Sequence, residues 1–222
     1  AFIRLLKPLA YYKEKYGDIH YGLTKMYLLM EKQHNRGQDG AGIATIKLDC
    51  QPGYRYYDRI RSVDSRAIKD IFETIFSQFS DLSDNELLAM NDMDYVKNQY
   101  QFMGELLMGH LRYGTHGGNS MHNCHPRIRS NNWMTRTLFI AGNFNLTNVN
   151  DLFQNLVNLG QFPRELSDTM TVLEKIGHFL DVENQKQFKR FKSDGLDNIQ
   201  ITKLIGDHLD IERILSTSAD DF

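Results

Sequence analysis

Cysteine is scarce in this chain. Of its 222 residues only Cys50 and Cys124 carry a thiol, too few for a disulfide framework and in keeping with a reducing compartment. Long apolar runs are missing as well: no stretch approaches the roughly 20 apolar residues needed to cross a bilayer. The opening Ala-Phe-Ile-Arg-Leu-Leu-Lys-Pro is too short and too charged for a secretory leader. Nor is there the basic excess that a nucleic-acid partner usually demands, since the formal net charge is −2. Internal repeats and Pro/Ser-rich linkers are absent too. What remains is 41% hydrophobic residues, enough for one substantial core. The expectation is a soluble, cytoplasmic globular domain, with no nucleic-acid and no membrane partner.

Periodicity supplies the elements. Residues 1–7 read as a short strand that Pro8 ends. Leu23, Met26, Tyr27 and Met30 recur at helical spacing over 21–30. Residues 42–48 and 54–60 alternate as strands around Asp-Cys-Gln-Pro-Gly, a hairpin turn. Ile68, Ile71, Phe72, Ile75, Phe76 and Phe79 form the broadest apolar stripe, predicting a helix over 65–82. A second helix is expected over about 86–101, and buried strands over 105–113 and 136–142. Helices are predicted over 149–159, stopped by Gly160, and over 168–180, capped by Ser167 or Asp168. From Asn184 onward the chain is charged and mostly helical, with a break at Ser193-Asp194-Gly195. Strands and helices do not alternate regularly, which argues for α+β layering over a doubly wound parallel sheet. The simplest division is one domain over 1–222, with a helical insertion at about 62–103 and a helical extension at about 184–217.

Three polar, glycine-bearing segments interrupt these elements: Arg36–Gly42, Gly109–Gly118 and Gly142–Asn148. Glycine lets backbone approach a ligand closely or adopt positive φ. Arg112 stands at the end of a predicted strand, and a guanidinium fork fixed at a strand end suits a carboxylate. An asparagine at another strand end, such as Asn143, can donate to a developing oxyanion. Asp168, in the first turn of a helix, can take an ammonium. Together these would hold an amino acid by both charged ends. Each residue also has a plain reading: Arg112 as a surface ion pair, Asn143 and Asn145 as turn formers, Asp168 as a helix cap.

His110, His116, His122 and His125 lie near Cys124, which raises the question of zinc. Their spacings of six, six and three match no recognised finger, and no metal is expected. Pairing of Cys124 with His122 or His125 as a nucleophile is no better supported.

Taken in order, the segments resemble those of class II glutamine amidotransferases. Gln33-His34-Asn35-Arg36-Gly37-Gln38-Asp39-Gly40-Ala41-Gly42 is similar to the family's Gln-His-Arg-Gly-Gln-Asp/Glu-x-Ala-Gly, with Asn35 inserted. Gly109-His110-Leu111-Arg112-Tyr113-Gly114-Thr115 resembles Gly-His-x-Arg-Tyr/Trp-x-Thr, and Asn123-Cys124-His125-Pro126 resembles Asn-Ala-His-Pro. Gly142-Asn143-Phe144-Asn145-Leu146-Thr147-Asn148 is similar to His-Asn-Gly-Asn-Leu-Thr-Asn, and Ser167-Asp168-Thr169 to Ser-Asp-Thr/Ser. The match covers about 20–50 and 105–180.

The resemblance implies an αββα sandwich of the N-terminal nucleophile hydrolase type. It implies that Arg112, with Thr115 and His116, binds the α-carboxylate of glutamine and that Asp168 binds its α-amino group. It implies an oxyanion hole from the Asn143 side chain and the Phe144 backbone N–H, with Arg36 and Gly37 supporting the nucleophile end. In the family an N-terminal cysteine attacks the side-chain amide, and the ammonia released goes to a synthase domain in the same polypeptide. That domain is expected here to be a phosphoribosyltransferase, in a homo-oligomer. The glutaminase domain needs no cofactor; Mg2+ would belong to the synthase domain.

Departures are plain. Members begin Cys-Gly-Ile, whereas this chain opens Ala1-Phe2-Ile3. As written it lacks the nucleophile, and it is expected to be an inactive fragment of a longer synthase. Gly142 replaces a histidine and Phe144 a glycine, and a positive φ would be disfavoured for Phe144. The motifs lean toward the amidophosphoribosyltransferase branch of purine synthesis. The alternatives are a glucosamine-6-phosphate synthase-like enzyme and a catalytically inactive glutamine-binding module.

Overall fold

The computed structural model describes residues 1–114 and 120–220. About half of these residues are helical, and the strands form two antiparallel sheets, one of four strands and one of two. The chain is therefore α+β. It divides into two compact units, Ala1–Pro126 and Arg127–Phe222. Among the described residues no helix is long and apolar enough to cross a membrane.

The first unit is built on β1 (Phe2–Arg4), β2 (Ala41–Ile46), β3 (Tyr57–Ser62) and β4 (Leu106–Leu111), ordered β1-β4-β2-β3. Its helices are α1 (Leu9–Tyr16), α2 (Tyr21–Lys32), α3 (Ala67–Ser77), α4 (Asp84–Ala89) and α5 (Met93–Gln99). Every strand pair is antiparallel, with Ile43 facing Ile60 on one side and Gly109 on the other. Leu23, Met26 and Met30 of α2 pack with Ile68, Ile71, Phe72 and Ile75 of α3 in one cluster with Ile43 and Leu107. Each such side chain buried contributes about 1.5–3 kcal/mol. Gly109 is small for this reason: a Cβ there would stand 2.6 Å from the sulfur of Met26 and 2.7 Å from that of Met30. On the sheet's other face the 124–126 segment closes down. The His125 carbonyl lies directly over Gly42, and Arg61 Nη1 donates to the Cys124 carbonyl at 2.7 Å.

Three local expectations change in this unit. Pro8 does not merely end a strand: it stands at the N-cap of α1 with φ −56°, and a preset φ near −65° favours the start of a helix. The 65–82 stripe is helical only over α3. Gln78 turns its amide to the carbonyls of Ile75 and Gln101, and its Oε1 accepts from Gln101 N. The single helix expected over 86–101 is two, because Asp92 accepts from Asp94 N and Tyr95 N and starts α5 afresh. α4 has its own capping box, Ser83 with Glu86.

The second unit holds β5 (Arg127–Arg129) and β6 (Leu138–Ile140), paired antiparallel. With them are α6 (Val149–Asn158), α7 (Asp168–Ser193), α8 (Asn198–His208) and α9 (Ile211–Asp220). Gly177 of α7 leaves room for the stem of Arg129, whose guanidinium reaches Glu174 at 3.0 Å and Asp181 at 2.5 Å. α7 runs thirteen residues past the expected stop at 180. Its continuation buries polar residues: Glu183, Asn184 and Gln187 are each at most 5% exposed. Asn184 Nδ2 donates to the carbonyls of Thr135 and Leu180, and its Oδ1 accepts from Thr135 Oγ1. Phe191, Ile201 and Ile205 then form a small core joining α7 to α8.

Candidate functional site

Arg112 leaves the end of β4 only 5% exposed, so it is not a surface ion pair. Both its backbone groups are taken by the segment before β2: its N–H donates to the Gly40 carbonyl at 2.8 Å, and its carbonyl accepts from Asp39 N–H at 3.1 Å. Gly37 presses against the same residue. A Cβ on Gly37 would stand 2.7 Å from the Arg112 carbonyl oxygen, so glycine is required there by close approach. Gly40 is required by conformation as well, with φ +148° and the Ser62 carbonyl 2.9 Å from where a Cβ would be. Finally Asp39 Oδ2 accepts from Gly114 N–H at 2.7 Å. The 37–40 and 112–114 segments are thus docked backbone to backbone. Arg36 ends the 3-10 turn His34–Arg36, exposed, and the inserted Asn35 is absorbed in that turn. Thr115 and His116 lie outside the described residues. The structure brings Gly37 and Arg112 together, with Arg36 next to Gly37 in the chain.

The N-terminus sits on the same strand. The Ala1 ammonium donates to the Gly109 carbonyl at 2.8 Å, and Gly109 N–H returns a bond to the Ala1 carbonyl at 2.9 Å. Burial lowers the pKa of this amine. Beside it burial, helped by the terminal ammonium, pulls His110 down to about 4, so this imidazole is neutral at physiological pH. Its ring lies 4.7 Å from that of His125. Among the described residues no group of three or more His, Cys, Asp or Glu is arranged to hold a metal. The Cys124 thiol is fully buried and points to the Ala41 carbonyl at 3.2 Å. Burial pushes its pKa up against the pull of Arg61 and Arg112, the opposite of what activates a nucleophile.

In the second unit the Asn143–Leu146 segment is tied to the head of α7. Ser167 caps the helix through Met170 N–H, which leaves the Asp168 carboxylate to accept from Leu146 N–H at 3.3 Å. Asp168 is therefore not the cap; it ties the 143–146 segment to the first turn of α7. Asn143 is exposed. The Phe144 ring folds back over Gly142, its Cζ 2.9 Å from where a Cβ would stand, so the two departures from the family pattern occupy one space. Phe144 is not among the non-glycine residues with positive φ, which among the described residues are Asp49, Asp81 and Phe102.

Two clefts of the first unit lie elsewhere. One, of 530 Å³, is lined by Arg4, Lys7, Asp94, Lys97 and Glu105 among others; another, of 570 Å³, by Arg55, Asp58, Gln78 and Gln101 among others. Neither is lined by Arg36, Gly37 or Arg112. Sequence reasoning missed the role of Asp39, whose signal was an acidic side chain set between two constrained glycine turns.

No family model matches the chain. It is similar to amidophosphoribosyltransferase 2, chloroplastic, of Arabidopsis thaliana, with 25% identity over 174 residues, or 78% of this chain. The chain spans a quarter of the length of that curated relative. By its name that relative is an enzyme of the amidotransferase type.

Proposed function

We propose that this chain is the glutamine-hydrolysing part of a class II amidotransferase, with the N-terminal nucleophile fold its motifs imply. One observation carries the reading: the register of β1 on β4. Phe2 faces Met108 and Ala1 exchanges both backbone bonds with Gly109. Residues placed before Ala1 in the same register would meet His110, Leu111 and Arg112 in turn. The third of them would share a sheet face with Arg112, its Cβ about 4.5–5.5 Å from that of the arginine. Cys-Gly-Ile ahead of Ala1 would put its cysteine there.

The chemistry follows from the residue types. A thiol at that position passes its proton to the free α-amine and attacks the glutamine side-chain carbon. The C–N bond breaks, the proton leaves with ammonia, and water cleaves the thioester to glutamate and regenerates the thiol. Arg112, with Thr115 and His116, would hold the α-carboxylate, and Arg36 and Gly37 would support the nucleophile end. In the second unit Asp168 would hold the α-amine, while Asn143 and the Phe144 N–H would donate to the oxyanion. The acceptor of the ammonia would be phosphoribosyl pyrophosphate, as the relative's name suggests, in a homo-oligomeric enzyme of purine synthesis that carries a phosphoribosyltransferase domain.

The test is a chain extended by Cys-Gly-Ile with its α-amine free. Glutamine-dependent glutamate release is expected, with labelling of the added thiol by a γ-diazoketone analogue of glutamine. Arg112→Lys keeps the charge but loses the fork, and is expected to lower both. If folded protein neither releases glutamate nor takes the label above a Cys→Ala control, the reading is wrong.

A further inference from the structure

We propose that Asp39 is a positioning residue for substrate: its carboxylate fixes the turn that follows Arg112 and so sets where the guanidinium is presented. The inference rests on the glutaminase reading above and adds to it a residue with no substrate contact.

Arg112 is buried, and a buried arginine can bind a ligand with fidelity only if its backbone is held. Upstream, β4 holds it through pairing with β2 and β1. Downstream the strand has ended, and the holding falls to the 37–40 segment. Gly40 accepts from the Arg112 N–H and Asp39 N–H donates to the Arg112 carbonyl. Those backbone bonds need no particular side chain at position 39. The side chain adds a different bond: Asp39 Oδ2 accepts from Gly114 N–H at 2.7 Å, two residues beyond Arg112. Gly114 has no side chain to obstruct this, and a Cβ there would stand 3.3 Å from the same oxygen. Asp39 therefore grips the chain on both sides of Tyr113, at the Arg112 carbonyl by its own N–H and at the Gly114 N–H by its carboxylate. An ionised acceptor makes the second bond roughly twice as strong as a neutral one. It also fixes Gly114, the residue from which the chain continues to Thr115 and His116.

The test compares wild type, Asp39→Ala, Asp39→Asn, Arg112→Ala and the Asp39→Ala/Arg112→Ala double variant. NMR first follows the Gly114 amide. Asp39→Ala should raise its exchange rate about tenfold or more, while Asp39→Asn, which keeps an acceptor oxygen, should raise it less. Calorimetry then measures L-glutamine against 4-aminobutanamide, which lacks the α-carboxylate. If Asp39 acts through Arg112, Asp39→Ala should cost about tenfold in glutamine affinity with little change for the analogue, and Asp39→Asn should recover part of it. The double variant should bind glutamine no more weakly than Arg112→Ala alone. Unchanged Gly114 exchange in Asp39→Ala overturns the proposal, and so does equal loss for both ligands, which a merely structural role would give. Independent, multiplying losses in the double variant overturn it too. A wild type that takes up no glutamine instead removes the reading beneath it, which the Gly114 measurement keeps separate from any failure of the Asp39 bond itself.

Discussion

Lys47 donates its ammonium to the Tyr100 carbonyl at 2.9 Å, from a side chain only 1% exposed. Burial lowers its pKa and Asp58 pulls the other way. Asp58 itself accepts from the N–H of Phe102, a residue at φ 63°. The charge thus organises the reversal of chain that feeds β4. Lys47→Met keeps the apolar stem and removes the head, leaving the Tyr100 carbonyl without its donor, while Asp58 keeps Arg55 at 3.2 Å and the Phe102 N–H. The expected loss is about 1–3 kcal/mol, read as a lower urea midpoint with unchanged slope.

His110 predicts a pH dependence of stability. Its folded pKa, about 4, lies below the usual 6.5, so between those values the unfolded chain binds the extra proton. The contribution is complete above about pH 6.5 and declines as pH falls toward 4, by at most ~1.4 kcal/mol per unit. His110→Gln should flatten that part of the curve in denaturant titrations at pH 7, 6, 5 and 4.5. An equal slope in both proteins would remove His110 as its source.

Two glycines separate rigid from yielding neighbours. Ala at Gly109 meets methionine sulfurs, which can swing aside, whereas Ala at Gly37 meets the Arg112 backbone. Gly109→Ala is expected to cost about 1 kcal/mol, and Gly37→Ala toward ~3 kcal/mol. Thermal unfolding of the pair gives the comparison, and only Gly37→Ala should also weaken glutamine binding in calorimetry.

Arg129 provides a double test in the second unit. Arg129→Ala leaves Glu174 and Asp181 partly buried without their shared cation, an expected loss of about 3 kcal/mol. Adding Glu174→Gln and Asp181→Asn should recover a good part, because the uncompensated charges go with the arginine. Non-recovery in the triple variant, measured by urea unfolding, would assign the loss to packing of the Arg129 stem against Gly177.

The sequence showed its apolar periodicity well and its polar commitments poorly. α2, α3 and α6 follow stripes that repeat at helical spacing, β2 follows a strand-like alternation and β4 a short apolar run, so all were legible. α1 was not, because a proline such as Pro8 reads as the stop of a strand as readily as the start of a helix. The length of α7 was hidden because Glu183, Asn184 and Gln187 look like solvated residues, and only their partners across the fold reveal that they are buried. The same limit governs the candidate site. Arg112 and Gly37 could be picked out by type and spacing, but the burial of Arg112 and the bond from Asp39 to Gly114 connect residues 75 apart, which no local pattern encodes.

The two-way amide exchange between Gln78 and Gln101 joins the exit of α3 to the approach of β4. Both ends of the intervening stretch are thereby anchored, so α4 and α5 have no loose terminus from which to peel. Their amides should open as one cooperative block, with a common free energy in native-state exchange, and Gln78→Ala should release that block while leaving the exchange of β2 amides where it was.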